Sequence, residues 1–269
     1  MLGKLIKYEF KATARFFVPL LIALLVVSVI NRICFSFDGS MDFLGPDWSW
    51  LPSAISMFLY VAIIITIFVL TLVLAIKRFH SSLLTDEGYL MMTLPASVDS
   101  HIWSKAVTAG VWIIAGIAVS VASVFVMAMT GDIWGEFLNE VTYGINQMTA
   151  VLGGNLWVFA VLWLVILVLD LLSQLMIVYM CISIGHQIPK HQVLSSIGAY
   201  LAYVVISQIV VAIAAKIAEF CGFFEWFSNL QGLTMGYLTT FGFLGLVVLV
   251  LAITYFVTRY LLKNKLNLE

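Results

Sequence analysis

The chain has 269 residues, of which 63% are hydrophobic and only 10% are charged, and its formal net charge is −1. Soluble domains carry about 25% charged residues, so this composition excludes an ordinary water-soluble protein and indicates one that crosses a membrane several times. A net charge this close to zero gives no electrostatic basis for binding nucleic acid.

The first predicted element is an amphipathic helix over residues 1–15, within the stretch LGKLIKYEFKATARFF (2–17). At about 100° per residue, its basic side chains share one face and apolar side chains lie opposite. This pattern predicts a helix in the membrane interface, with its basic face toward anionic lipid headgroups. Glu9 projects from the apolar side, which leaves two interpretations: it reaches the surface or pairs with a neighbouring lysine, or its face meets protein and not lipid. The basic residues are Lys4, Lys7, Lys11 and Arg15.

Six apolar segments are long enough to cross a bilayer core of about 30 Å, which requires about 20 residues of helix. No internal repeat and no low-complexity linker divides the chain, so we expect one all-α membrane domain over 1–269. The spans are predicted near 16–36, 54–77, 102–129, 156–184, 196–217 and 238–262.

The basic residues predict the orientation of these spans. Of the 13 lysines and arginines, all but Arg32 and Lys216 fall on the side that holds both termini and the loop 78–100. Loops rich in lysine and arginine stay in the cytoplasm, so both termini and this loop are expected to be cytoplasmic. The opposite, outer side carries acidic residues and several tryptophans near the predicted boundary.

The loop between the second and third spans contains the polar stretch LLTDEGYLMMTLPAS (83–97). Thr85 can cap a short helix with two acids in its first turn, Pro95 ends it, and Ser97 or Asp99 can start the third span. Two interpretations remain open: a helix resting on the bilayer, or a docking helix for a cytosolic partner. The residues expected to form the docking surface are Thr85, Asp86, Glu87, Gly88, Tyr89, Leu90, Met92 and Pro95.

Three stretches resemble bacterial ABC-2 type permeases, the membrane subunits of ABC transporters whose ATPase is a separate chain. They are GKLIKYEFKATARFF (3–17), LLTDEGYLMMTLPASVDSHIWSK (83–105) and SIGHQIPKHQVLSSIGAY (183–200). The resemblance covers essentially the whole chain in its six-span layout, and these three stretches are its specific parts.

The resemblance implies an interfacial elbow helix at the amino terminus, a coupling helix in the loop 78–100 and a re-entrant hairpin at about 220–237, before the last span. It also implies cytosolic ATPase partners that bind ATP and Mg²⁺, and a second permease subunit, identical or different, in a bacterial cytoplasmic membrane. The cargo is not identified by it; a peptide, a drug-like molecule or a lipid-like molecule are all compatible.

Motifs for chemistry on this chain are absent from the sequence. Without G-x-x-x-x-G-K-[ST], ATP hydrolysis is expected on a partner, and without H-E-x-x-H or a nucleophile signature no catalytic site is expected. His186 and His191 are five residues apart across a proline and do not share a helical face, so no metal site is expected. The three cysteines lie in or beside apolar segments and are expected to be buried thiols: Cys34, Cys181 and Cys221.

Asp170 lies halfway along the fourth predicted span, with Gln174 one turn later on the same face. Ser207 and Gln208 of the fifth span are expected at about the same depth. A carboxylate inside a membrane is costly and normally faces the bundle interior. Three interpretations remain open: a structural hydrogen bond to Gln208 or to backbone, a place on the transport path or on the seam between two subunits, and a proton relay.

The leading hypothesis is therefore the permease subunit of an ATP-driven exporter. One alternative is a membrane-bound immunity or sensor subunit that binds antimicrobial peptides without moving them, using the acidic outer loop 130–155 with Asp132, Glu136 and Glu140. A second alternative is an ion-coupled secondary transporter, which predicts more intramembrane charge and an internal inverted repeat than this sequence has.

Overall fold

The computed structural model describes residues 2–36, 51–84, 97–128, 131–188, 191–230 and 232–264. These residues form eight α-helices and a short 3₁₀ turn at Gly153–Asn155, and no β-strand occurs among them. The helices are α1 (Leu2–Ser36), α2 (Leu51–Leu84), α3 (Val98–Ala128), α4 (Gly131–Leu152), α5 (Leu156–Gly185), α6 (Gln192–Phe220), α7 (Phe223–Ser228) and α8 (Gly232–Asn264).

Among the described residues, six helical stretches are long and apolar enough to cross a membrane: Leu2–Cys34 in α1, Ala54–Ser81 in α2, Val98–Met127 in α3, Trp134–Gly185 through α4 and α5, Gln192–Phe220 in α6 and Gly232–Asn264 in α8. Each overlaps one of the six predicted spans. The all-α class is confirmed for the described residues, and the six long apolar helices are compatible with a multi-pass membrane protein. Long runs of apolar residues make this the most predictable property of the chain, because the backbone polar groups of a spanning segment must be satisfied within the segment itself.

Helix α1 covers both the predicted interfacial segment and the first span as one helix of 35 residues, with Pro19 inside it. The predicted boundary at residue 15 is therefore not a helix boundary. The position of residues 2–15 relative to a membrane stays a prediction.

Whether the segment 130–155 lies on the outer side of a membrane stays a prediction, but most of this predicted loop is helical, because α4 occupies Gly131–Leu152. Its apolar residues recur every three or four positions, which is the period of an amphipathic helix. The chain then turns at Gly153, whose φ of 59° is left-handed and favours glycine, before α5 begins.

The chain forms two compact units, and the first comprises Met1–Ala75 and Trp103–Val141. Its core is built around Leu24, Tyr60 and Ile67, with apolar side chains of α3 packed against them. Two buried polar contacts lie within this unit: the Tyr60 hydroxyl lies 2.8 Å from the Ser123 hydroxyl, and Asn31 Nδ2 donates to the Ser56 carbonyl at 3.1 Å.

The second unit comprises Ile76–Ile102 and Thr142–Glu269. In it α5 packs against both α6 and α8. Ile177, Met180 and Cys181 of α5 form a buried cluster that Tyr203 of α6 and Val257 of α8 help to cover. The thiol of Cys181 is buried as expected, whereas Cys34 is half-buried and Cys221 is exposed.

The segment predicted as a re-entrant hairpin, 220–237, contains the short helix α7 and the start of α8. Gly222 precedes α7 with a φ of 66° and allows the sharp turn out of α6. Whether this segment enters a membrane stays a prediction.

Candidate functional site

All eight residues of the predicted docking surface lie in the segment 85–96, which is outside the described residues. The two ends of that segment are described, because α2 ends at Leu84 and α3 begins at Val98. Ser97 caps α3 as the sequence predicts: its hydroxyl accepts a hydrogen bond from the Ser100 amide at 3.3 Å. The described residues that flank this segment, at the end of α2 and at the start of α3, are its base. The candidate site consists of this base and the residues that contact it.

The end of α2, which precedes the segment 85–96, is held in place by aromatic packing. Phe79 and Leu83, one turn apart at the end of α2, are fully buried. The Phe79 ring stacks on Tyr179 of α5 with a centroid distance of 4.0 Å and an interplanar angle of 7°. The last turns of α2 are therefore fixed to α5.

The start of α3, which follows the segment 85–96, is held in place by an ion pair and a hydrogen bond. Asp99, in the first turn of α3, accepts a hydrogen bond from the Tyr255 hydroxyl at 2.7 Å and from Arg259 Nε at 2.9 Å. Tyr255 and Arg259 are four residues apart and share one face of α8. Both charged side chains are partly exposed, so solvent screens the ion pair and its contribution to stability is small. Its main effect is to orient the first turn of α3 relative to Arg259. This contact fixes the first turn of α3 to α8.

Two imidazoles lie beside this base. The rings of His80 on α2 and His186, which follows α5, are nearly perpendicular with centroids 5.9 Å apart. Burial lowers the pKa of His186 below its usual range, and the neighbouring His80 lowers it further, which favours the neutral ring at pH 7. In the part of the chain that the structure describes, no group of three or more histidine, cysteine, aspartate or glutamate side chains could hold a metal ion.

At the base, the two helices that flank the segment 85–96 are attached to two different helices of the second unit. The end of α2 contacts α5 through Phe79 and Tyr179, and the first turn of α3 contacts α8 through Asp99 and Arg259. The sequence analysis placed the loop at 78–100, whereas α2 continues to Leu84 and α3 begins at Val98. Neither Tyr179 nor Arg259 carried a signal that paired it with the loop.

The amino-terminal segment meets protein through the face that contains Glu9. Glu9 Oε1 and Lys105 Nζ of α3 are 2.7 Å apart, and their side chains are only 13% and 3% exposed. Of the two interpretations of Glu9, contact of its face with protein describes this geometry. The four basic residues of the segment are exposed, as a face toward water or lipid headgroups requires: Lys4, Lys7, Lys11 and Arg15.

An aromatic contact extends the same face. Trp112 of α3 stacks on both Phe10 and Phe17 with centroid distances of 4.7 Å, and its Nε1 donates to the Thr13 hydroxyl at 2.8 Å. The spacing of 10, 13 and 17 places these α1 residues on one side of the helix. The sequence analysis missed Trp112, because a tryptophan within an apolar span carries no signal for its partner.

The polar side chains predicted within the membrane do not form a hydrogen-bonded cluster. Asp170 is half-buried, and among the described residues no hydrogen bond joins its carboxylate to Gln208. The hydroxyl of Ser173 donates to the Asp170 carbonyl at 2.9 Å, and that of Ser207 donates to a carbonyl of its own helix. Gln174 and Gln208 are exposed. The predicted bond between Asp170 and Gln208 is therefore absent.

We expect Asp170→Asn to change the free energy of unfolding by less than about 0.5 kcal/mol, because no hydrogen-bonding partner among the described residues depends on the charge. Asp170→Leu is expected to be tolerated as well, since it strands no hydrogen-bonding group. Unfolding of the purified chain by titration with sodium dodecyl sulfate measures both variants. A destabilisation of the Asn variant by more than about 1 kcal/mol would contradict this expectation.

The chain was compared with models of known protein families, with curated proteins and with solved structures. None of the three comparisons finds a match. The likeness to ABC-2 type permeases therefore rests on the three stretches of sequence at 3–17, 83–105 and 183–200.

Proposed function

We propose that this chain is the membrane-spanning subunit of an ATP-driven exporter of the ABC type. The observation that carries the proposal is the anchoring of both ends of the segment 85–96, through Phe79 on Tyr179 and through Asp99 on Arg259. A polar segment with fixed ends transmits a displacement, whereas one on flexible tethers absorbs it. This is the property that a docking site for a motor subunit requires.

The helices on either side of the segment are long enough to carry such a displacement through a membrane. Helices α2 and α3 have 34 and 31 residues. At 1.5 Å per residue each is about 45–50 Å long, which exceeds a bilayer core of about 30 Å. In the proposed mechanism, closure of the ATPase moves the coupling helix within 85–96, and these helices carry the motion to the outer side.

The proposal assigns the remaining parts as follows. ATP and Mg²⁺ are bound by cytosolic ATPase chains, since this chain has no phosphate-binding loop. Two membrane subunits form the translocating unit in a bacterial cytoplasmic membrane, with both termini in the cytoplasm. Residues 1–15 form the elbow at the membrane interface, and 220–237 forms a re-entrant hairpin. The cargo is a peptide, a drug-like molecule or a lipid-like molecule.

The proposal predicts that Glu87→Lys weakens association with the ATPase at least about tenfold, because a charge reversal in a docking surface costs about 1.4 kcal/mol or more. The chain is purified from its native membranes in mild detergent. The amount of P-loop ATPase per membrane subunit, the rate of phosphate release and the mass of the assembly are measured. Two membrane subunits and a hydrolysing ATPase are expected for the wild type.

Glu136→Lys is the matched control, because it makes the same charge change on α4, an exposed site on the predicted outer side. It is expected to leave ATPase binding and hydrolysis unchanged. A wild-type assembly without an ATPase, or equal ATPase binding by both variants, would be incompatible with the proposed function.

A further inference from the structure

Helix α4 has two sharply different faces. Its apolar face consists of Phe137, Leu138, Val141, Ile145 and Met148, which recur at helical spacing. The opposite, polar face carries Glu136, Asn139, Glu140, Tyr143 and Gln147. Every one of these ten side chains is exposed, so the described residues leave the larger part of the apolar face uncovered.

The short connections at both ends of α4 limit where its apolar face can lie relative to a membrane. Two residues separate the end of α3 at Ala128 from Gly131, and three residues separate Leu152 from the start of α5 at Leu156. A linker of two or three residues spans at most about 7–11 Å. The candidate spans on either side are Val98–Met127 in α3 and the stretch Trp134–Gly185, which runs from α4 through α5. Since α5 by itself is an apolar helix of 30 residues and needs no part of α4 to cross a membrane, α4 is held where α3 and α5 leave the hydrocarbon.

Contacts at the first turns of α4 hold it beside α3. Trp134 and Phe137 stack with centroids 5.8 Å apart, and Phe125 of α3 meets both rings edge-on at 5.8 and 5.5 Å. Aromatic clusters of this kind are typical of the boundary between hydrocarbon and water.

An orientation across the membrane is excluded by the polar face. It would put two carboxylates and two amides among lipid chains, and a charged side chain at the bilayer centre costs about 2.5–3.5 kcal/mol even on the more permissive insertion scales. A helix lying along the surface satisfies both faces at once, with the apolar side chains in the acyl boundary and the polar ones in water.

We propose that α4 is an interfacial membrane helix that binds the lipid surface through Phe137, Leu138, Val141, Ile145 and Met148. The partner is lipid of low negative charge, because α4 contains no lysine, arginine or histidine and carries acids on its polar face. Binding therefore rests on burial of apolar area and not on attraction to anionic headgroups. The exposed basic residues of α1 are instead suited to binding anionic lipid headgroups. This inference does not depend on the proposed function.

Hydroxyl-radical footprinting of the unmodified chain in phosphatidylcholine nanodiscs tests the proposal without any substitution. Met148 on the apolar face is 59% exposed in the protein and Tyr143 on the polar face is 62% exposed. We expect oxidation of Met148 to be lost and that of Tyr143 to persist. Oxidation of both side chains would overturn the proposal, because the apolar face would then lie in water.

Spin labels distinguish lipid from a protein cover. Ile145→Cys and Asn146→Cys place labels on the apolar and polar faces, in a chain whose three native cysteines are replaced by serine. The label at 145 is expected to be accessible to oxygen and shielded from a water-soluble nickel chelate, and the label at 146 is expected to show the reverse. Shielding of position 145 from both reagents would mean that a second copy or another protein covers the face, which would overturn the proposal.

The lipid preference is tested on the same labelled chains, after their unfolding midpoints have been compared with that of the unsubstituted chain. Replacing part of the phosphatidylcholine by phosphatidylglycerol is expected to leave the immersion depth of the label at 145 unchanged or to reduce it. A deeper immersion in the anionic lipid would contradict the assigned lipid chemistry. If a labelled variant does not fold, the footprint of the native chain still decides whether the face is in water.

Discussion

Glu9→Leu is expected to lower the free energy of unfolding by about 3–5 kcal/mol, because it leaves the Lys105 ammonium buried without its carboxylate. The Lys105 side chain is 3% exposed and its Nζ lies 2.7 Å from Glu9 Oε1. An ammonium in such a place must shed its proton or draw in water, and either response weakens the packing of α1 on α3. Titration of the purified chain with sodium dodecyl sulfate measures the loss.

The chain contains a matched control for this ion pair. Lys216 and Glu219 are also 2.7 Å apart, but their side chains are 81% and 64% exposed. Glu219→Leu is therefore expected to cost less than about 1 kcal/mol, since exposed pairs are screened by water and salt.

Rescue by a second substitution sharpens the test. Combining Glu9→Leu with Lys105→Met replaces the pair by apolar side chains of similar size and is expected to recover most of the lost stability. Equal losses for Glu9→Leu and Glu219→Leu, or no recovery in the double variant, would show that burial of the pair does not determine its contribution.

The ion pair also illustrates which contacts the sequence can predict. The unusual position of Glu9 on an apolar helix face is visible in the sequence, because helical periodicity is a local property. Its partner lies 96 positions away on another helix. Nothing local marks Lys105 as that partner, since a lysine at the start of a span is equally typical of a lipid-facing flank.

At the base of the segment 85–96, too, the local features were predictable from the sequence and the contacts between distant residues were not. Ser97 was predictable as a helix start, since capping depends on residues within one turn. The contact of Asp99 with Arg259 requires the first turn of α3 to lie beside α8, which no local pattern contains. The docking residues within 85–96 lie outside the described residues, so their role stays a prediction.

Helix α4 was missed although its signal is local. The prediction of six spans depends on long, nearly unbroken runs of apolar residues, and in 131–152 polar residues interrupt every such run. The periodicity of this segment is its informative property, because every apolar residue from Phe137 to Met148 falls on one side. Such a pattern between two spans indicates a helix that lies along a surface and does not cross the membrane.

Gly185→Ala is expected to destabilise the protein by about 1–3 kcal/mol or more, because a methyl group has no room at the end of α5. A Cβ atom at Gly185 would lie 2.5 Å from the backbone nitrogen of Ser196 and 2.6 Å from its Cα. Backbone atoms within helix α6 cannot rotate aside as the end of a side chain can. The substitution must therefore separate α5 from α6 near the short connection between them.

Gly198→Ala, two residues further along α6, is the matched control, because a Cβ at Gly198 would meet nothing within 4 Å. Alanine is favoured over glycine inside a helix by about 0.5–1 kcal/mol, so this variant is expected to be as stable as the wild type or more stable. The same chemical change thus has opposite expected signs at two nearby positions. Equal unfolding midpoints for both variants would show that α5 and α6 do not approach as closely as Gly185 and Ser196 do here.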